Sequence, residues 1–318
     1  MNKFFLSIVL LFFFLYPVES ICSQESKTVG ATDRVSQKNA PAGHDPMTAV
    51  FVHTSPVRVT GPEKTVLAKM PPVAYPGEHP RLLLTKQEVA ELRLVLDTHP
   101  KGREALKVLL GQANEALTGT PDFPDPKGQG AQLKRIGDVL AHQHEVITMN
   151  AGILGMAYTL TGNTKYALRA AAILRGYSEL YQQYPEHKGV NNNDTGKIMS
   201  QRLSEAMWLI PLIISYDYIR NSGVLTEADS KQIENGLLRP AIGFIRRKIP
   251  ANEVAERTSK NPEWRTVMPP LGTGKPVGNW LLYYNTATLM SGIMIGDQDM
   301  VDLGTADFRS LLRQGIGS

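Results

Sequence analysis

Four groups of residues have the types and spacing to act on a polyhydroxylated ligand. Gln201, Glu205 and Trp208 stand four and three apart, a spacing that places side chains on one helical face. An indole stacks on a pyranose face, while an amide and a carboxylate bond hydroxyls. The plainer alternative is a core Trp208, with Glu205 paired to Arg202 or a neighbouring helix. Asn279 pairs with Tyr283, and Trp280 with Tyr284, each four apart, and Asn285 follows. A phenol in a cleft can donate to sugar oxygens or, with a lowered pKa, act as a base. Its alternative is an aromatic face packed on the preceding Pro-rich loop.

His142, His144 and Glu145 form the third group. A cavity-facing histidine, for which His144 is the candidate, binds substrate or shuttles protons. A satisfied core or surface histidine is the alternative. The spacing lacks the four-residue interval of a two-His zinc helix, so no metal is expected. The fourth group is Asn191-Asn192-Asn193-Asp194, a polar loop that would bring Asn193 to a ligand's point of entry. Asp194 or Thr195 also reads as a plain helix cap. No nucleophile elbow, phosphate loop or dinucleotide fingerprint is present, so no cofactor is expected.

The elements that must hold these residues are helices. Thr85-Lys86-Gln87-Glu88 is a capping box, and Val89, Leu92, Val95 and Leu96 follow at helical spacing until His99-Pro100. A second helix covers about 101–118. Three helical hairpins come next. About 131–161 pairs with 163–184 across Gly162, 195–220 with 226–248 across Gly223, and 279–295 with 298–314 across Gly296. Glycine suits the left-handed position after a helix, and Asn163 and Thr226 suit the next N-cap. Met207 to Ile214 and Leu289 to Ile295 are apolar almost all round, as in helices buried on more than one side. Such stacked hairpins predict an all-α fold, an (α/α) toroid or a solenoid.

The chain of 318 residues is 42% hydrophobic with a net charge of +4, enough for a substantial core. Basic residues are scattered, and the one run, Arg246-Arg247-Lys248, falls at a helix end where cations are favoured. The composition points away from nucleic acid and suits an anionic polysaccharide or oligosaccharide. Phe4 to Tyr16 is apolar apart from Ser7, follows Lys3 and precedes small residues, so 1–22 reads as a signal peptide. Residues 23–78 read as a flexible linker with a possible short strand, and 79–318 as the helical domain. The expectation is a periplasmic or secreted protein without stable membrane insertion after signal cleavage, with lipid anchoring through Cys22 the lesser alternative.

Several motifs resemble one family. His79-Pro80-Arg81-Leu82-Leu83 and the capped helix after it look like the toroid entry of heparinase II/III-like and alginate lyase-like polysaccharide lyases. Gln201-Arg202-Leu203-Ser204-Glu205-Ala206-Met207-Trp208 resembles their Gln-x-Leu-x-Glu-Ala-x-Trp helix, continued by Tyr216-Asp217. Gly278-Asn279-Trp280 is similar to their Asn-rich segment. The resemblance covers about 79–318 and implies β-elimination on a uronic-acid polysaccharide. It makes Asn279 the group that neutralises the uronate carboxylate. A Tyr or His abstracts the C5 proton and a Tyr serves the leaving oxygen, with Tyr283 and His144 the candidates here. The alginate-type members carry an Asn-His pair, and this chain has Trp280 in place of that His. No residue matches the family's usual later Tyr. The reading is therefore an incomplete toroid, the N-terminal part of a lyase and inactive on its own if so. Two rivals stay open: a glycoside hydrolase on the same fold, using Glu205 with Asp194 or Asp217 at roughly 5–9.5 Å, and a non-catalytic glycan-binding protein.

Overall fold

The computed structural model describes residues 77–127, 139–187, 195–247 and 278–316, with the side chains of Gly278, Asn279 and 310–316 left aside. The signal peptide, almost all of the linker and the Asn191–Asp194 loop lie outside these residues. Every regular element among the described residues is helical, which agrees with the expected all-α class. The α-helices are α1 (Lys86–Thr98), α2 (Pro100–Glu115), α3 (Val139–Thr161), α4 (Thr164–Leu180), α5 (Arg202–Ile219), α6 (Glu227–Ile233), α7 (Arg239–Arg246), α8 (Gly278–Ile295) and α9 (Gln298–Ile316). A 3-10 turn, Tyr181–Gln183, extends α4, and a π segment, Glu234–Leu238, joins α6 to α7.

Local chemistry sets the boundaries. Thr85 and Glu88 close their capping box on α1, and Thr226 with Asp229 forms a second one on α6. Asn163 caps α4 through the Lys165 N–H at 3.2 Å. Gly162, Gly223 and Gly296 turn the three hairpins at φ of 72°, 79° and 69°, a region closed to most side chains. One boundary differs from expectation. α5 begins at Arg202 and not at 195, because the Glu205 carboxylate draws off the N–H groups of Lys197, Ile198 and Met199. Gly196 permits that turn, since a Cβ there would lie 1.8 Å from the Met199 carbonyl oxygen.

The helices form two layers, with α3, α5 and α8 on the inside and α4, α6–α7 and α9 packed behind them. The inner helices run parallel. Thr148 Oγ1 on α3 donates to the Trp208 carbonyl on α5 at 2.8 Å, and Gly155 lies against Ser215, the same offset of sixty residues in chain position. Arg202 of α5 stacks its guanidinium over Tyr284 of α8, 5.9 Å from the ring centroid. The far ends of α5 and α8 are joined by a clasp from the N-terminal segment. Asp217 accepts from the Arg81 and Leu82 N–H groups, each at 2.9 Å, and contacts His79 Nδ1 at 2.6 Å. The Arg81 guanidinium caps the α8 carbonyls of Ile293 and Met294 at 2.7 and 3.1 Å. The first motif thus has a clear mechanical task, which is to staple the C-terminal ends of two inner helices.

Close approach between the layers depends on Gly236, where a Cβ would stand 2.3 Å from the Ser178 carbonyl oxygen of α4. Backbone atoms cannot give way as a flexible side chain does. Gly236→Ala is expected to cost about 1–3 kcal/mol in denaturant unfolding. Gly243→Ala on α7 meets nothing within 4 Å and should stabilise by about 0.5–1 kcal/mol. Equal effects of the two changes would refute the packing assignment.

Candidate functional site

Because the inner helices are parallel, the starts of α3, α5 and α8 meet at one end, and the candidate residues collect there. The clasp occupies the other end. Among the described residues, the side of the inner layer turned away from α4, α6–α7 and α9 is the open one. On α5 its exposed residue is Met207, flanked by the half-buried Ser204, Ile210 and Pro211. On α3 the matching stripe is His142, Glu145, Met149 and Ile153. On α8 it is Tyr283, Thr286 and Met290, all half-buried. The open face closes further along, since Leu212 to Ile219 are all buried.

Glu205 and Trp208, two of the expected sugar-facing residues, stand on the other side of α5. Glu205 is fully buried. Its Oε2 accepts from the Lys197, Ile198 and Met199 N–H groups at 3.1, 3.0 and 2.9 Å, and its Oε1 accepts from the Tyr181 hydroxyl at 3.0 Å. Burial pushes its carboxyl up to about 7, against the lowering effect of those four donors. Trp208 stacks on Tyr181 and meets Tyr177 edge-on at 4.9 Å. Gln201 precedes the helix in extended conformation, so it does not continue the stripe. The plainer reading of this stripe, core packing, describes its geometry.

His144 also sits in this aromatic cluster. It is buried, with Nδ1 3.0 Å from the Tyr177 hydroxyl and its ring edge-on to Tyr184. Burial pushes its pKa down to about 3, and the nearby His187 acts in the same direction. The imidazole is therefore neutral at physiological pH and has little surface from which to shuttle a proton. His142, two residues earlier, is the histidine on the open face.

The two stripes of α8 separate. Trp280 and Tyr284 turn toward α5 and meet edge-on, and Tyr284 lies beneath Arg202. Asn285 is fully buried and turns to the outer layer. Its Oδ1 accepts from Arg246 Nη1 at 2.9 Å, while Arg246 also bonds Asp307 of α9. That cluster ties α7, α8 and α9 together. Tyr283 remains half-exposed on the open side, one turn after Asn279.

Around the same end lie Lys197, Arg202, Arg246 and Arg247. Arg247 holds Glu186 through two bonds at 2.8 and 2.9 Å and reaches Thr195 Oγ1 at 3.0 Å. Arg202 is buried and donates to the Arg247 carbonyl at 3.0 Å. The sequence offers Arg202 only as a partner for Glu205 and Arg247 only as part of a cationic run at a helix end, and neither as a site residue. Both lie in segments whose contacts arise only on folding.

The geometry bears on the hydrolase rival. Glu205 and Asp217 are twelve residues apart on α5, about 18 Å at 1.5 Å per residue. The two carboxylates of a glycosidase stand roughly 5–9.5 Å apart. Both are also fully engaged by structural donors. Asp194, the other partner considered, lies outside the described residues. Among those residues, no three His, Cys, Asp or Glu side chains are grouped to hold a metal ion, and no helix is long and apolar enough to cross a membrane.

The chain is similar in sequence to two alginate lyases, which agrees with an alginate lyase-like polysaccharide lyase resemblance. It is 28% identical over 170 residues to an exo-oligoalginate lyase of Saccharophagus degradans, covering 52% of this chain and 22% of that protein. It is 29% identical over 124 residues to an alginate lyase of Stenotrophomonas maltophilia, covering 39% of this chain and 16% of that protein. The chain thus matches less than a quarter of either relative's length. No family model matches it. Both relatives are named for alginate, although Trp280 replaces the His expected of alginate-type enzymes.

Proposed function

We propose that this chain is the helical part of a polysaccharide lyase that cleaves a uronic-acid polysaccharide of the alginate class by β-elimination. The observation that carries the reading is the similarity to two alginate lyases, joined to a fold that brings the starts of three parallel helices to one open face. In this reading the hairpins are part of an (α/α) toroid, and the open face is its inner wall. The protein is exported to the periplasm or beyond, where such a polymer is met. Scattered cations and the positive ends of three helix dipoles favour an acidic glycan.

In β-elimination a base removes the C5 proton of the uronate, the electrons form the C4–C5 double bond, and the C4–O bond breaks with protonation of the leaving oxygen. Neutralising the carboxylate stabilises the enolate-like intermediate and is the largest contribution. Asn279, at the start of α8, is assigned that task. Tyr283, one turn later and half-exposed, is assigned the proton exchange with the sugar. His144 is too buried for the role. Asn193, which lies outside the described residues, is assigned to substrate binding.

The reaction is read as new ultraviolet absorbance from the unsaturated product when the protein is incubated with alginate and with other polyuronates. A saturated product would mark hydrolysis, and binding without turnover would mark a glycan-binding protein. Asn279→Ala is expected to lower kcat about a hundredfold, the size of a lost oxyanion donor. An unchanged kcat would remove Asn279 from the mechanism.

A further inference from the structure

The open face holds a titratable pair that the proposed chemistry leaves unused. His142 and Glu145 lie on the first turns of α3, three apart, with Nδ1 and Oε2 separated by 3.7 Å. Their side chains are 42% and 40% exposed, which makes them accessible to a ligand. At 3.7 Å the pair is electrostatic and not a hydrogen bond. Glu145 is partly desolvated, and burial raises its pKa against the lowering effect of His142. With Nδ1 turned to the carboxylate, Nε2 has no partner among the described residues.

The height of His142 follows from the parallel helices. The sixty-residue offset between α3 and α5 sets His142 level with Arg202, and Arg202 stacks on Tyr284. His142 and Tyr283 therefore stand at the same level on the two outer members of the inner row. Ser204 and Met207 of α5 lie between them. Neighbouring helix axes are about 8–10 Å apart, so the two flanks are separated by about 16–20 Å along the row. That span exceeds one sugar ring.

We propose that His142, with Glu145 beside it, is a substrate-binding residue for a uronate unit remote from the one at Tyr283, so that the site takes an oligosaccharide laid across α3, α5 and α8. This rests on the lyase reading above. Nε2 accepts from a sugar hydroxyl when the ring is neutral, and donates to a hydroxyl or carboxylate oxygen when it is protonated. The exposed Met207 between the flanks meets the apolar face of an intervening ring. The alternation of a polar flank, an apolar middle and a phenol flank matches a sugar chain, which has hydroxyl rims and apolar ring faces.

The test is calorimetric titration of the full chain with mannuronate oligomers from disaccharide to hexasaccharide. Wild-type affinity is expected to rise with length until both flanks are bridged, and His142→Gln and His142→Ala should then bind the longer oligomers roughly tenfold more weakly. Disaccharide binding at the Tyr283 flank should be unchanged in both. Circular dichroism of the variants checks that helix content is retained. If the wild type gains with length and the variants follow it at every length, the assignment of His142 is overturned while the lyase reading stands. If affinity drops equally at all lengths, the remote subsite is overturned. If no uronate oligomer binds the wild type, the functional reading itself fails.

Discussion

Asp217→Ala is expected to destabilise the protein by about 3–5 kcal/mol, the loss seen when one partner of a buried charged network is removed. The carboxylate is only 1% exposed, and it is the acceptor for the Arg81 and Leu82 N–H groups and the partner of His79. Truncation leaves those partly buried donors without an acceptor, a heavier penalty than the loss of an exposed bond. It also frees the segment that carries Arg81, whose guanidinium caps the end of α8. Two effects then fall together, an unpaired cluster and an uncapped helix. Asp217→Asn keeps one acceptor oxygen and should lose less. Arg81→Ala removes the cap on the Ile293 and Met294 carbonyls but keeps the backbone N–H bonds to Asp217, and should cost about 1–2 kcal/mol. Urea unfolding of the three variants orders them, and an Asp217→Ala loss under 1 kcal/mol would contradict the clasp.

Glu205 gives the second large effect, and the sign depends on the replacement. Glu205→Ala removes the acceptor of three backbone N–H groups and the Tyr181 hydroxyl, and about 3–5 kcal/mol is expected to be lost. Glu205→Gln behaves differently. Its carbonyl can take the place of Oε2 among the three N–H groups while its amide donates to the Tyr181 oxygen. Only the 3.3 Å approach of the Ile198 N–H to Oε1 opposes that arrangement. The folded pKa of Glu205, about 7, lies above the ordinary 4.5. Its contribution to stability is therefore full below pH 4.5 and is lost as pH rises through about 7, a change of about 3 kcal/mol. The Gln variant has no such loss. Wild type should be the more stable protein at pH 5 and Glu205→Gln at pH 8. Parallel stability curves across that range would show that Glu205 does not titrate there.

These two carboxylates also show where reasoning from sequence stops. From sequence, Glu205 reads as a sugar-binding acid or a structural partner, and Asp217 as part of the family motif or a hydrolase carboxylate. Composition cannot separate these readings, because the deciding fact is what approaches from elsewhere in the chain. The Asp217 donors come from residues 79–82, and the Glu205 donors from the turn at 197–199 and from Tyr181. His142 and His144 carried the same ambiguity. One is exposed beside Glu145, and the other is sealed among Tyr177, Tyr184 and His187.

The sequence by itself determined the all-α class, the hairpin turns at Gly162, Gly223 and Gly296, the caps at Thr85, Asn163 and Thr226, and the resemblance to alginate lyase-like enzymes. These depend on local dihedral preference, on side chains reaching N–H groups within three residues, and on hydrophobic period. The tertiary structure decided the phase. The period placed Gln201, Glu205 and Trp208 near one line, and Asn279 with Tyr283 on another. It could not say which line faces outward. An inner helix is contacted by neighbours on both sides and from behind, so nearly every stripe along it is apolar or half-buried. Only the positions of α3, α4 and α8 around α5 left Ser204 and Met207 open and enclosed Glu205 and Trp208. One helical position is a rotation of about 100°, which is enough to turn a sugar-facing residue into a core one.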